Sequence, residues 1–197
     1  MKLLIATTNP KKIEELILLL NTPDVVPVYL NNVGITSLPE ENGSNFRENA
    51  ILKARFAGDK SGLWTLAEDS GLVIDALGGR PGIRSARYSE GPDKDRVLKV
   101  LDEMKNFPDD KRTARFIANI ALYSPLDHSV QLFEGISEGT ITYKPIGENG
   151  FGYDPIFYNL ELGKTNASAT LEEKNNVSHR GKAIRKVKKY LLNLSAV

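Results

Sequence analysis

The chain contains no cysteine. That removes disulfides, thiol nucleophiles, sulfur-ligated zinc and iron–sulfur clusters together. Histidine is nearly as scarce, with only His128 and His179, so a centre built from several imidazoles is not expected. Any bound metal should therefore sit on oxygen, the ligand set that suits magnesium or manganese. Long apolar runs are missing as well. Leu3-Leu4-Ile5-Ala6 follows Met1-Lys2 directly and is too short for a signal core or a membrane span, so the expected location is cytoplasmic. Nor is there a surplus of charge: 26 basic against 25 acidic residues give a net charge of +1. No global field favours wrapping nucleic acid, and an anion site has to be local. No repeat or long linker interrupts the 197 residues, enough for one domain, or two closely joined lobes, with a sizeable core.

What is present centres on Ala67-Glu68-Asp69-Ser70-Gly71-Leu72. Trp64 to Ala67 reads as a buried strand, and Leu72 to Ile74 resumes the apolar run beyond two carboxylates, a hydroxyl and a glycine. A carboxylate at a buried strand end is expensive unless a metal or hydrogen-bonded partner compensates it. Gly71 permits a turn or a close backbone approach. The segment is thus either a solvated strand-end turn or a metal-holding, water-activating acid.

Upstream, Leu3 to Ala6 predicts a strand that feeds Thr7-Thr8-Asn9-Pro10-Lys11-Lys12 and a helix to about Leu20. Asn9 suits the N-cap and Pro10 the first helical position. Hydroxyls, an amide and lysines at a helix N-terminus make a plausible phosphate cradle, although the glycine pattern of a Walker A loop is absent. Val25 to Leu30 reads as a second strand, followed by the acidic loop Leu38-Pro39-Glu40-Glu41-Asn42-Gly43. A helix is predicted from about Asn45 to Ala57, with Asn45 and Glu48 as a capping box. Phe46, Ala50, Ile51, Ala54 and Ala57 form its buried face, while Asn49 and Lys53 share a different one.

Downstream, Gly78-Gly79-Arg80-Pro81-Gly82-Ile83 marks an irregular loop before Arg84-Ser85-Ala86-Arg87-Tyr88. Asp93 to Met104 is an amphipathic helix. Ala114 to Tyr123, Val130 to Phe133 and Ile136 to Tyr143 are strand-like. In Gly147-Glu148-Asn149-Gly150-Phe151-Gly152-Tyr153-Asp154-Pro155 two aromatics spaced by glycine leave room for a flat ring to stack. Thr170-Leu171-Glu172-Glu173 opens a short helix containing Lys174. The last helix starts at Ser178-His179-Arg180, with Ala183, Ile184, Val187 and Leu191 inward. Basic residues at a helix N-terminus oppose the dipole preference, so His179 and Arg180 suggest an anion or ligand site.

Taken in order, these segments resemble the inosine triphosphate pyrophosphatase family over nearly the whole chain. The resemblance rests on Thr7 to Lys12, Glu40, Glu48 to Ala54, Glu68 to Leu72, Gly78 to Ile83, Ser85 to Tyr88, Phe151 to Pro155, and Ser178 to Gly181. It implies an α/β fold: a long mixed β-sheet flanked by helices, with two lobes and an active-site cleft between them, in a homodimer. It implies hydrolysis of dITP, ITP and XTP to the monophosphate and pyrophosphate, with Mg2+ as cofactor. Asp69 would be the catalytic acid and a metal ligand, Glu40 the second metal contact, with Glu41 in its place if the loop register differs. Thr7, Thr8, Asn9, Pro10, Lys11, Lys12 and Lys53 would hold the triphosphate, and Ser70 would touch the substrate. Phe151, Gly152, Tyr153, Asp154, Lys174, His179 and Arg180 would bind the nucleotide. Arg180 can only donate, so it would reward the 6-oxo purine over adenine, whose amine is itself a donor.

Thr8, where relatives often carry glycine, and Arg84, where they often carry an aromatic residue, depart from the pattern and bear on fine substrate preference. Two rivals are a pyrophosphatase for modified pyrimidine or 7-methylguanine nucleotides, and a nucleotide-binding sensor without turnover. The Phe151 loop with His179-Arg180 speaks against the first, and the metal-suited acids against the second.

Overall fold

The structure is a computed structural model in which residues 1–195 are described. Seven strands form one sheet in the order β2-β1-β3-β4-β5-β6-β7. They are β1 (Lys2–Ile5), β2 (Val26–Tyr29), β3 (Trp64–Ile74), β4 (Thr113–Tyr123), β5 (Val130–Ile141), β6 (Phe157–Asn159) and β7 (Lys164–Thr165). β1 runs parallel to both β2 and β3, with Leu4 opposite Val28 and Thr65. β5, β6 and β7 pair antiparallel, so the sheet is mixed. The helices are α1 (Pro10–Leu20), α2 (Phe46–Ser61), α3 (Asp93–Met104), α4 (Leu171–Val177) and α5 (His179–Ser195). Among the described residues no helix is long and apolar enough to cross a membrane.

The chain divides into two compact units. Unit 1 comprises Met1–Asp69, Ala118–Gly135 and the chain from Arg180 onward; unit 2 comprises Ser70–Ile117 and Ile136–His179. In unit 1 the alternation of β1 divides two cores. Leu3 and Ile5 join Leu16, Leu66, Ile120 and the Ala183, Ile184, Val187 and Leu191 stripe of α5. Leu4 and Ala6 join Ala50, Ala54 and Ala57 of α2 with Ala67 and Tyr123. Both faces of these strands are covered, which is why they read as continuous apolar runs rather than alternating ones. Unit 2 has its own core, in which Leu72 and Ile74 meet Val97, Val100 and Met104 of α3 with Phe116, Tyr153 and Phe157.

Asn9 caps α1 as expected, its side chain accepting from the Lys11 and Lys12 amides. The α2 cap differs in detail. Asn45 accepts from the Glu48 amide, but the Glu48 carboxylate reaches back to the amide and hydroxyl of Ser44. The helix also runs four residues past Ala57, to Ser61, where Gly62 takes the left-handed conformation. The larger correction is β3. It passes without a break through Glu68-Asp69-Ser70-Gly71, so no turn exists there and Asp69 sits mid-strand. Of the two expectations for Gly71, the close approach is the one realised: a Cβ there would lie 2.6 Å from the Gly82 carbonyl oxygen and nearer still to Ser85 Oγ. Ser85 Oγ accepts from the Leu72 amide and donates to Gly82 O, stitching the loop after Pro81 onto the strand.

Candidate functional site

Asp69 belongs to a densely charged interior within unit 1. Strand geometry turns successive side chains to opposite faces, so Glu68 and Asp69 serve two separate clusters although they are adjacent. Asp69 is 6% exposed. Asn49 Nδ2 donates to its Oδ2 at 3.1 Å, and Lys53 Nζ approaches its Oδ1 at 3.4 Å. The four-residue spacing on α2 aims Asn49 and Lys53 at the same carboxylate, while Ala50, Ala54 and Ala57 let the helix lie close. Lys53 Nζ also donates to Glu41 Oε1 at 2.6 Å and to the Glu68 carbonyl at 2.9 Å. Burial raises the Asp69 pKa above the usual carboxylate range and Glu41 adds to the rise, against the pull of Lys53, Lys12 and the Asn49 hydrogen bond.

Glu68 turns the other way, into a buried knot of charge. Arg180 donates through Nε and Nη2 to its two oxygens, each at 2.7 Å, and through Nη1 to Glu15. All three residues are at most 3% exposed. The bidentate geometry is the strong form of a charge-assisted pair. Burial lowers the Arg180 pKa, but Glu68 and Glu15 outweigh it and hold the guanidinium above its ordinary range. Lys12 Nζ lies 3.4 Å from Glu68 Oε1. Burial draws the Lys12 ammonium below the ordinary lysine range, Glu68 resists, and Arg180 and Lys53 add repulsion.

The other members of the expected phosphate cradle are open to solvent or half-buried. Thr8, Pro10 and Lys11 are exposed, Lys11 with Glu14 at 3.9 Å. Thr7 Oγ1 accepts from the Asn9 amide, and Ser70 is half-buried on β3. Glu40 is exposed, whereas the neighbouring Glu41 is the loop carboxylate brought through Lys53 to Asp69. Of the two loop acids, Glu41 is the one that shares a cation with Asp69. Arg180 Nε, Nη1 and Nη2 meet the protein's own carboxylates.

In unit 2 the Phe151 loop is built over a second buried ion pair. Lys174 Nζ donates to Asp154 Oδ2 at 2.6 Å, and the Phe151 amide donates to the same oxygen at 2.9 Å. Asn166 Nδ2 donates to Oδ1, and Asn159 extends the chain from Asn166 to Ser137. Asp154 and Lys174 thus fix the loop from beneath, with the Lys174 ammonium 4.9 Å from the Phe151 ring centroid. The Gly152 amide donates to Asp93 Oδ2, and Tyr153 Oη to the Ser85 carbonyl. His179 stacks on Phe116, with ring centroids 4.8 Å apart and planes 12° apart.

Sequence reasoning missed Glu15, Asn166 and Asp93, and named Asn49 without a role. Glu15 did leave a signal: an acid one turn from Lys12, beside the apolar stripe Ile13, Leu16, Ile17 and Leu20. Asn166 and Asp93 left none, since their partners are 12 and 59 residues away.

The donor set suits a small hard cation. Asp69 and Glu41 present carboxylate oxygens around one ammonium, with the Glu68 carbonyl completing the group. Among the described residues no group of three or more histidine or acidic side chains could hold a metal. An ion here would complete its shell with water and substrate oxygens, as magnesium commonly does.

Comparison with known proteins places the whole chain. A model of the Ham1 family matches residues 3–190. A dITP/XTP pyrophosphatase of Yersinia pestis is 46% identical over 187 residues, covering 93% of this chain and 94% of the relative. One of Thermus thermophilus is 45% identical over 190 residues, covering 94% and 89%. A HAM1 protein structure from Coxiella burnetii superposes with a TM-score of 0.89 at 38% identity, covering 98% and 99% of the two chains. A nucleoside-triphosphatase / dITP/XTP pyrophosphatase from Mycobacterium abscessus gives 0.78 at 40%, covering 95% and 98%. A match over almost the whole length, on a fold whose charged residues converge on one strand, makes this chain a member of the Ham1 family.

Proposed function

We propose that the protein hydrolyses dITP, ITP and XTP to the nucleoside monophosphate and pyrophosphate, with Mg2+ as cofactor. The observation that carries the reading is Asp69, a buried mid-strand carboxylate oriented by Asn49 and Lys53 and facing Glu41, in a chain 46% identical to a dITP/XTP pyrophosphatase. Asp69 and Glu41 would hold the magnesium ion, with Glu40 at the outer edge of the acidic loop. When bound, the ion supplies charge neutralisation for the triphosphate and lowers the pKa of water.

Asp69 accepts the proton of the attacking water. Its position on a buried strand fixes it in place for that role, while the Asn49 hydrogen bond holds its Oδ2. Attack falls on the α-phosphorus, the position that yields a monophosphate and pyrophosphate. Thr7, Thr8, Asn9, Pro10, Lys11 and Lys12 contribute hydroxyls, the α1 N-terminal amides and positive charge to the triphosphate. Ser70 contacts the substrate beside the catalytic acid.

In unit 2, Phe151 stacks on the base, Gly152 leaves the ring face open, and Tyr153, Asp154 and Lys174 hold the loop in shape. His179 and Arg180 complete the nucleotide-binding set, Arg180 by fixing Glu68. A guanidinium favours a 6-oxo purine over adenine only if it turns a donor from its carboxylates to the base. The reading carries with it a homodimer and a cytoplasmic location.

The test is pyrophosphate release from ITP, XTP, GTP and ATP with Mg2+, for wild type and Asp69→Asn. Release from ITP and XTP, lost on Asp69→Asn, is expected. Equal turnover of all four removes the account of base preference. Tight ITP binding without release sinks the enzyme reading in favour of a sensor.

A further inference from the structure

Lys53, like Arg180, bridges two carboxylates from different segments of unit 1, but its two are the acids of the proposed metal site. Arg180 is engaged by Glu68 and Glu15, and Lys12 faces Glu68. The Lys53 ammonium has three hydrogens and meets three oxygens: Glu41 Oε1 at 2.6 Å, Glu68 O at 2.9 Å and Asp69 Oδ1 at 3.4 Å. Its side chain is 7% exposed. These oxygens come from a loop, a strand backbone and a strand side chain, the kind of hard, mixed oxygen set that a small divalent ion takes.

We infer that Lys53 is the resident cation of the Asp69–Glu41 site in the nucleotide-free protein, so that metal loading is an exchange of one cation for another. The inference rests on the divalent-ion site proposed above. An ammonium at hydrogen-bonding distance from both carboxylates and a divalent ion bound by the same oxygens repel each other strongly in so buried a place. One must leave before the other binds well. Lysine suits the task better than arginine would, being a compact point charge on a flexible four-carbon stem. A triphosphate offers Lys53 new oxygens at the moment it leaves the carboxylates. Nucleotide and metal therefore assist each other's binding, and by linkage the assistance is mutual. Without nucleotide, the two acids stay paired, ordered and selective against adventitious divalent ions.

The test is Mn2+ binding to the nucleotide-free protein, followed by the electron paramagnetic resonance signal of free Mn2+. Wild type is compared with Lys53→Met, Lys53→Gln, which keeps length and a donor without charge, and Lys53→Arg. Both neutral variants are expected to bind Mn2+ about tenfold more tightly than wild type, and Lys53→Arg to stay near wild type. Equal or weaker binding by Lys53→Gln overturns the exchange, because a lysine that only packs or only contacts phosphate would not oppose the metal. The double variant Asp69→Asn/Glu41→Gln separates the two failures. Mn2+ binding retained in that variant, with or without a non-hydrolysable ITP analogue, rejects the site and with it the inference. Binding lost there, but not tightened in Lys53→Gln, rejects the exchange alone.

Discussion

Arg112 is held by carbonyl oxygens. Nε donates to Ile141 O at 2.6 Å, Nη1 to Met104 O and Phe107 O, and Nη2 to Thr142 O, while the Tyr143 ring centroid lies 4.0 Å from the guanidinium carbon. At 2% exposure it caps the negative end of α3 with a full positive charge and ties that helix to the end of β5. Arg112→Met keeps much of the stem and removes one donor from each of four carbonyl oxygens. A loss of about 3 kcal/mol or more is expected in urea unfolding, far above an exposed arginine's worth. Two tyrosines give a residue-scale pH prediction. Burial pushes Tyr88 up to about 12, with its hydrogen bond to Glu103 adding to the rise. Burial and the hydrogen bond to Asp59 likewise push Tyr123 up to about 12. A raised phenol pKa means the folded state holds its proton more tightly than the unfolded chain. The stabilisation is complete below pH 10, the ordinary tyrosine value, and is lost as pH climbs from 10 to about 12. Ultraviolet titration should find late-ionising phenols that disappear one at a time in Tyr88→Phe and Tyr123→Phe.

Among the elements, β3 most repays mutation. Gly71→Ala directs a methyl at the Gly82 carbonyl oxygen, 2.6 Å away, and at Ser85 Oγ; the carbonyl is backbone and cannot swing aside. Strand and loop must part, so the substitution should lower the melting temperature by several degrees. It should also depress turnover, since Asp69 lies two residues back on the same strand; kinetics and a thermal melt on one preparation test both. α1 offers a milder case: Asn9→Ala removes the acceptor of the Lys11 and Lys12 amides and should cost about 1 kcal/mol. Legibility in sequence follows the range of the physics. Helix caps, the α3 amphipathic face and the α5 stripe are set by residues three or four apart, and they were readable. The continuity of β3 was not. A polar tetrad inside an apolar run has the local signature of a turn, and it stays extended within a strand placed between β1 and β4, where Lys53 and Arg180 compensate its acids. Adjacent acids in an irregular loop have no period to distinguish them, so which of Glu40 and Glu41 pairs with Lys53 could not be told without α2 in place. The family resemblance carried the reading past these gaps, because ordered motifs survive where local rules fail.

On the scale of the molecule, the Glu15–Arg180–Glu68 cluster ties α1, β3 and α5 together by charge, in the interior of unit 1. Removing the cation alone takes the guanidinium from two buried acids, leaving Glu68 with Lys12, and Arg180→Met should cost about 3–5 kcal/mol. The triple change Glu15→Leu/Glu68→Leu/Arg180→Leu removes all three charges and should recover most of that stability in urea unfolding while lacking pyrophosphatase activity. That outcome would mark the cluster as kept for function. Ligand effects belong at this scale as well: ITP analogue with Mg2+ at a hundredfold excess over its dissociation constant should add about 2.7 kcal/mol. Chelation should withdraw most of the gain, read as the shift of a thermal melt. The chain itself crosses between the two units four times, after Asp69, Ile117, Gly135 and His179. The last crossing has a consequence for biosynthesis. Arg180 follows Glu68 by 112 residues and Glu15 by 165, so on the ribosome both acids emerge long before their cation. Every segment of unit 2 is translated before α5 is finished, so the buried charge cluster of unit 1 cannot form until unit 2 has been made.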